Sequence, residues 1–202
     1  MSLISRGRGL VLAVLILAVA SDGKGRVEGG GSNRRFISDR YYFSLMCPPK
    51  WLISTVDDTP IYFSFTPSQA MDFNHQLKMP IGGAVISVTV ADRALGQPFN
   101  SLDEWARRDY EGLAEDSPVI QVFEMPSEST VKKAIVSAYD SATFAVGETA
   151  ERRVTVFWEF RGKYFAAHLM YRARDKKALS FERVLFDVVR SFKPLGIKKT
   201  DK

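Results

Sequence analysis

Between residues 40 and 195 apolar side chains recur mostly at intervals of two, and that interval predicts strands. Residues 61–65 (IYFSF) place Ile61, Phe63 and Phe65 on one face. Residues 84–90 (AVISVTV) are β-branched and nearly continuous, as expected of a central strand. Residues 41–47 (YYFSLMC) form an aromatic strand that Pro48-Pro49 stops, because proline gives up a ladder donor. Residues 51–55 read as its return strand, and 119–123 and 134–144 as weaker strands. Residues 154–160 (VTVFWEF) and 164–171 (YFAAHLMY) flank Arg161-Gly162-Lys163, a hairpin signal.

Two stretches change period. Ser101-Leu-Asp-Glu104 fits a capping box, and Leu102, Trp105, Ala106, Tyr110 and Leu113 follow as a helical stripe over about 101–115. Residues 178–191 predict a second helix, with Leu179, Phe181, Val184, Leu185, Val188 and Phe192 as its buried stripe. Pro194 and Gly196 then stop it. Strands joined by hairpins and interrupted by two amphipathic helices indicate an α+β fold around a mainly antiparallel central sheet. A doubly wound nucleotide-binding fold is disfavoured, because βαβ crossovers are missing from the pattern.

The ends read differently. Arg6 and Arg8 precede an apolar run from Leu10 to Ala20, and Ala18-Val19-Ala20 offers a cleavage site, so residues 1–20 read as a signal peptide. The run is too short for a comfortable membrane span of about 20 residues. An uncleaved anchor is the alternative. Residues 21–39, with Gly29-Gly30-Gly31, read as a flexible linker, 40–195 as a single domain and 196–202 as a disordered tail. The 202 residues are 46% hydrophobic and 25% charged, ordinary values for a globular chain. The net charge of +5 is spread among acids, which argues against nucleic acid as a partner. A single cysteine, Cys47, rules out an internal disulfide and reads as a small buried hydrophobe.

An aromatic strand entering Pro48-Pro49-Lys50-Trp51, a capped helix bearing Trp105, a two-strand hairpin and a helix closing on Ser191-Phe192-Lys193-Pro194 together resemble the PsbP-like superfamily. That group includes the photosystem extrinsic protein, DcrB-type periplasmic proteins and a nuclear-import factor that binds Ran. The resemblance covers about residues 41–194 and implies an α/β/α sandwich, a binding or assembly role and no shared catalytic residues. The family usually has glycine before the tryptophan. Lys50 stands there instead, and lysine disfavours the positive φ that glycine permits.

Candidate chemistry is sparse. His75 and His168 show no metal-ligand spacing and no paired cysteines accompany them, so no metal and no cofactor is expected. No G-x-S-x-G is present, Gly82-Gly83 lacks a following Lys-Ser/Thr, and the acid pairs read as solvated turns and helix ends. No catalytic residue is assigned. Two places read as ligand or partner contacts: the polar loop bearing Asp72, Asn74 and His75, and the hairpin tip with Arg161 and Lys163. Arg152, Arg153, Arg172 and Arg174 cluster with Arg161 and Lys163 around the final hairpin, where the alternative is ordinary solvated strand edges.

The function expected is an exported, non-catalytic binding or assembly-support protein of the bacterial cell envelope, periplasmic or extracellular. Its partner would be another envelope protein or an anionic surface, with no stable membrane span after leader removal. One alternative is a small-molecule or lipid carrier whose cavity is lined by Phe63, Trp105 and Phe165. Another is a hydrolase with an unrecognised site, which needs His75 or His168 beside acids.

Overall fold

The computed structural model describes residues 25–55, 61–65, 83–92, 99–109, 111, 119–125, 129–131, 133–141 and 151–196. The leader expected at residues 1–20 lies outside them. Among the described residues, no helix is long and apolar enough to cross a membrane.

The predicted hairpin is the centre of the architecture. Strand β9 (Glu151–Phe160) and strand β10 (Lys163–Arg172) pair antiparallel from Phe160↔Lys163 to Glu151↔Arg172. Their two-residue connection, Arg161-Gly162, has φ 49° and 71°. Two positive φ angles make the mirror-image turn whose twist matches that of the strands. Outside this pair, β6 (Ala84–Asp92) joins β10, and β5 (Ile61–Phe65) and β4 (Leu52–Thr55) follow. On the other flank β8 (Lys133–Ser141) joins β9, and β7 (Val119–Glu124) ends the sheet. All pairings in this seven-stranded sheet are antiparallel.

A second sheet corrects the single-sheet expectation. It has the order β1 (Arg26–Glu28), β2 (Arg35–Ser38), β3 (Phe43–Met46) and β11 (Lys193–Pro194). The stretch 21–39, expected to be a flexible linker, therefore supplies two strands, and Phe36, Ile37 and Ser38 are buried. The glycine run hid them: β2 forms a hairpin with β3 across residues 39–42, and so short a hairpin is stable only where its apolar side chains are buried against the rest of the fold. Gly29 has its own local reason: at φ 83°, a Cβ would sit 2.5 Å from the Asn33 carbonyl oxygen. Residues 51–55 are likewise no return strand for 41–47; β4 pairs with β5 in the large sheet. The chain changes sheets at Pro48-Pro49-Lys50, where the Trp51 N–H donates to the Pro48 carbonyl at 3.2 Å and Lys50 takes φ 65°. Lys50 thus adopts the left-handed geometry that glycine would adopt.

Alternation on the central hairpin sorts side chains to two faces. Val154, Val156, Trp158, Phe165, Ala167, Leu169 and Tyr171 face helix α2 (Ala178–Arg190) and the small sheet. Helix α2 buries Phe181, Leu185, Val188 and Val189 there. Leu179, expected in the stripe, is 81% exposed. Two residues before Phe181 is about 200° around a helix, so Leu179 points away from the sheet. The Tyr171 hydroxyl donates to Glu182 at 2.6 Å, and burial together with that carboxylate pushes the phenol pKa well up.

Phe157 and Ala166 face the opposite way, toward helix α1 (Leu102–Arg108). The Ser101 hydroxyl accepts from the Glu104 N–H at 3.1 Å, as a capping box requires. The Glu104 carboxylate reaches back to the Asn100 N–H at 2.7 Å, one residue earlier than expected. Trp105 stacks on Phe99 with centroids 4.9 Å apart and meets Phe157 edge-on at 5.4 Å. The described helix is shorter than 101–115; its expected contacts Tyr110 and Leu113 lie outside the described residues.

One aromatic group joins three layers. Phe43 meets Phe165 at 5.4 Å, Phe192 meets Phe165 at 5.0 Å, and Trp158 stacks on Phe165 at 5.3 Å. Replacing Phe165 with alanine should cost about 3–5 kcal/mol, read from urea unfolding, because the vacated ring touches all three neighbours. Lys50→Gly should do the reverse and raise stability by about 1 kcal/mol, since glycine carries no Cβ penalty at positive φ. A fall in unfolding midpoint on that change would show that Lys50 is held by contacts of its own.

Candidate functional site

The hairpin tip does not stand alone. Lys163 is cross-strand to Phe160, and its Nζ lies 5.8 Å from the ring centre of Tyr41. The Arg40 guanidinium sits 5.1 Å from the same ring, and that of Arg161 sits 5.2 Å from the Phe160 ring. Three cations thus gather on two aromatic rings at one end of the molecule. Such contacts contribute about 0.5–1 kcal/mol each when exposed, enough to bias where a long side chain rests. Arg40, Tyr42 and Arg161 are exposed, while Tyr41, Phe160 and Lys163 are half-buried. Exposed Glu159 lies beside them on β9, and Asp92 is opposite Lys163 in register.

The base of this corner is rigid. Phe160 meets Phe192 at 5.5 Å, and the Leu195 N–H donates to the Tyr42 carbonyl at 2.8 Å. The Ser191 hydroxyl accepts from the Met46 N–H at 2.7 Å and donates to the Val188 carbonyl at 2.6 Å. Arg35 donates to the Ser191 carbonyl at 2.9 Å and to the Ser44 hydroxyl at 3.0 Å. The Ser191-to-Pro194 stretch is therefore the seam between helix α2 and the small sheet.

Of the residues expected in contacts, the structure brings Arg161 and Lys163 together. Asp72, Asn74 and His75 lie outside the described residues. The other arginines of the hairpin strands are not at the tip. Arg152 and Arg172 lie at the far end of β9 and β10, about 30 Å from the tip at strand rise. Arg152 pairs there with Asp140 at 3.2 Å, and Arg153 rests over the Tyr139 ring at 5.9 Å. Sequence reasoning missed Arg40 and Tyr42 as members of the corner. The adjacent Arg40-Tyr41-Tyr42 is visible in the sequence, but its meeting with residues about 120 positions later is not.

His168 holds a second constellation, unrelated to the tip. The Thr155 hydroxyl donates to Asp109 Oδ2 at 3.1 Å, so its oxygen is left to accept from His168 Nδ1 at 3.1 Å. Nε2 then accepts from the Thr89 hydroxyl at 3.3 Å. This network assigns the Nδ1–H tautomer. Asp109 Oδ1 lies 3.6 Å from Nδ1, and the Tyr139 hydroxyl donates to the Asp109 carbonyl at 3.0 Å. A histidine beside an acid is what the hydrolase alternative requires, yet Thr155 is wholly buried and its hydroxyl is committed to Asp109. The visible effect is mechanical: the end of α1 is fixed to β6, β8, β9 and β10. The carrier alternative loses its lining. Phe63 and Phe165 are buried on the α2 face, whereas Trp105 packs on the α1 face, so the three cannot line one cavity. Buried Cys47 has its thiol pKa raised by burial. Among the described residues, no three His, Cys, Asp or Glu side chains gather to hold a metal ion.

No family model and no curated protein matches the sequence. Solved structures do. The Ran-binding protein Mog1p of Saccharomyces cerevisiae aligns with a TM-score of 0.52 and 9% identity, over 82% of this chain and 97% of that one. Cyanobacterial PsbP from Synechocystis aligns with a TM-score of 0.49 and 14% identity, over 82% and 94%. The Mog1p likeness is to an α+β fold shared with this chain, and at such identity it speaks of the fold alone.

Burial lowers the His168 pKa below 6.5, Arg153 adds to the effect, and Asp109 opposes it. The unfolded chain therefore takes up a proton that the folded chain resists. The stability contributed by neutral His168 is complete above about pH 6.5 and is lost as pH falls through the lowered folded value. Buried Glu151 shifts oppositely, its pKa raised by burial, but it is common to wild type and variant. Thermal midpoints measured from pH 7.5 to 5 should fall more steeply for wild type than for His168→Gln. Parallel curves would show that the imidazole does not titrate in this window.

Proposed function

We propose that this chain is an exported, non-catalytic binding or assembly-support protein of the bacterial cell envelope. It engages another envelope protein through the corner formed by Arg40, Tyr41, Tyr42, Arg161 and Lys163. One observation carries the reading: arginines and tyrosines, side chains enriched at interface hot spots, are displayed together with Lys163 on a rigid base. Backbone conformation supports it. Arg161 and Tyr42 both take positive φ, 49° and 55°, where asparagine or glycine would be easier. Non-glycine residues held in such conformations often mark functional positions. The shared fold supports it too, since Mog1p is a Ran-binding protein.

In this reading residues 1–20 direct export to the periplasm or medium, and the body begins at β1. Its layers form an α/β/α sandwich, with the small sheet added on the α2 side. The partner's complementary surface is acidic, and the loop with Asp72, Asn74 and His75 is a second contact element.

A photo-crosslinking amino acid at Arg161 should yield a discrete protein product in envelopes, whereas one at exposed Leu179 should not. Reversing Arg40 and Lys163 to glutamate should reduce that product by about tenfold or more, because like charges would oppose. No product at Arg161, or equal product at Leu179, would overturn the assignment. Binding of the purified chain to anionic but not neutral vesicles, with no protein product, would move the partner from protein to lipid.

A further inference from the structure

The large sheet ends at β7 among the described residues, and a terminal strand presents backbone N–H and C=O groups that can recruit another strand. The other edges show how this chain guards against such recruitment. In β1, Arg26 and Glu28 flank Val27 and bond to each other at 2.8 Å, and Arg26 also pairs with Asp39. Edge strand β4 is short, Leu52–Thr55.

Strand β7 has neither device. Its sequence is VIQVFE, with no charge before Glu124, and all six residues are exposed. Val119 is 53%, Ile120 40%, Val122 56% and Phe123 43% exposed. Register with β8 places Phe123 opposite Ala134 on the α2 face, where its ring lies 5.9 Å from that of Phe186. Alternation puts Val119 and Gln121 on that face too, and Ile120 and Val122 on the other. Among the described residues, both faces of this edge thus expose apolar side chains, Phe123 remaining 43% exposed beside Phe186. A strand meant to end in water keeps at least one of them polar.

We propose that β7 is a homodimer interface, in which two copies pair antiparallel across a two-fold axis normal to the sheet. The strand's own sequence selects a second copy as the occupant. Such an axis keeps each face on its own side, so opposed residues must share a face. With Gln121 set against the partner's Gln121, Val119 meets the partner's Phe123 and Ile120 meets the partner's Val122. Every apolar side chain from 119 to 123 then has an apolar neighbour, the two amides face each other, and no like charges are opposed. The paired stretch is about 17 Å long and continues one sheet through both copies. It involves the lateral edge of the sheet, whereas the basic corner lies at strand ends, so the inference does not rest on the proposed partner.

Sedimentation velocity of the chain as its host processes it should show a monomer–dimer equilibrium that shifts toward dimer as concentration rises, as a small interface permits. Val122→Lys and Ile120→Lys should each shift the chain to monomer with an unchanged far-ultraviolet circular dichroism spectrum. Hydrogen exchange should show amides of residues 119–123 gaining protection as wild-type concentration rises. A wild-type monomer throughout, with these amides unprotected, would overturn the proposal. So would a dimer that persists in both lysine variants, or protection that appears only when another envelope protein is added.

Discussion

The fold depends on Phe165 finding an aromatic ring on three sides. Phe43 comes from the small sheet, Trp158 from the neighbouring strand of the large sheet, and Phe192 from the end of α2. Each element alone presents only one apolar face to water. Stacked through these rings, the two sheets and the helix exclude water from a common layer, which is where most favourable free energy of folding arises. The polar bonds around Ser191 then fix the register of that contact. They add direction to an attraction that has none of its own.

Strand β10 serves both sides of the large sheet, and its two faces do different work. One face feeds the aromatic layer with Phe165, Ala167 and Leu169, and its Tyr171 hydroxyl is bonded to Glu182. The other carries His168, whose ring nitrogens are both used by threonine hydroxyls, with Asp109 behind one of them. Satisfied hydrogen bonds let a polar group be buried at little net cost, and they specify geometry more sharply than a methyl contact does. That is how a seven-residue helix, too short to be stable alone, is held against the sheet. The exposed basic corner has a stiff base of its own in the bonds around Ser191, as a binding surface requires to limit ordering entropy.

Much of this was legible beforehand. The β9–β10 hairpin, the α2 helix and the Ser101 cap follow from local periodicity and side-chain chemistry, and they occur close to where the pattern places them. Leu179 is exposed although apolar, because two residues before Phe181 places it on the opposite side of the helix. Arg161 and Lys163 were legible as a tip because hairpin turns are local. Arg40 and Tyr42 were not legible as their companions. Nor was the pairing of His168 with Asp109, because a helix end and a mid-strand position some 60 residues apart share no sequence signal.

The sequence by itself determined both helices, the β9–β10 hairpin and most other strands, and which of their faces are apolar, because period and propensity act over a few neighbouring residues. Only the tertiary structure decided that residues 35–38 form a strand, that the chain changes sheets at Lys50 and that β7 lies at an edge. Those outcomes depend on which distant surface covers each face, and burial is a property of the assembled layers, not of any one segment.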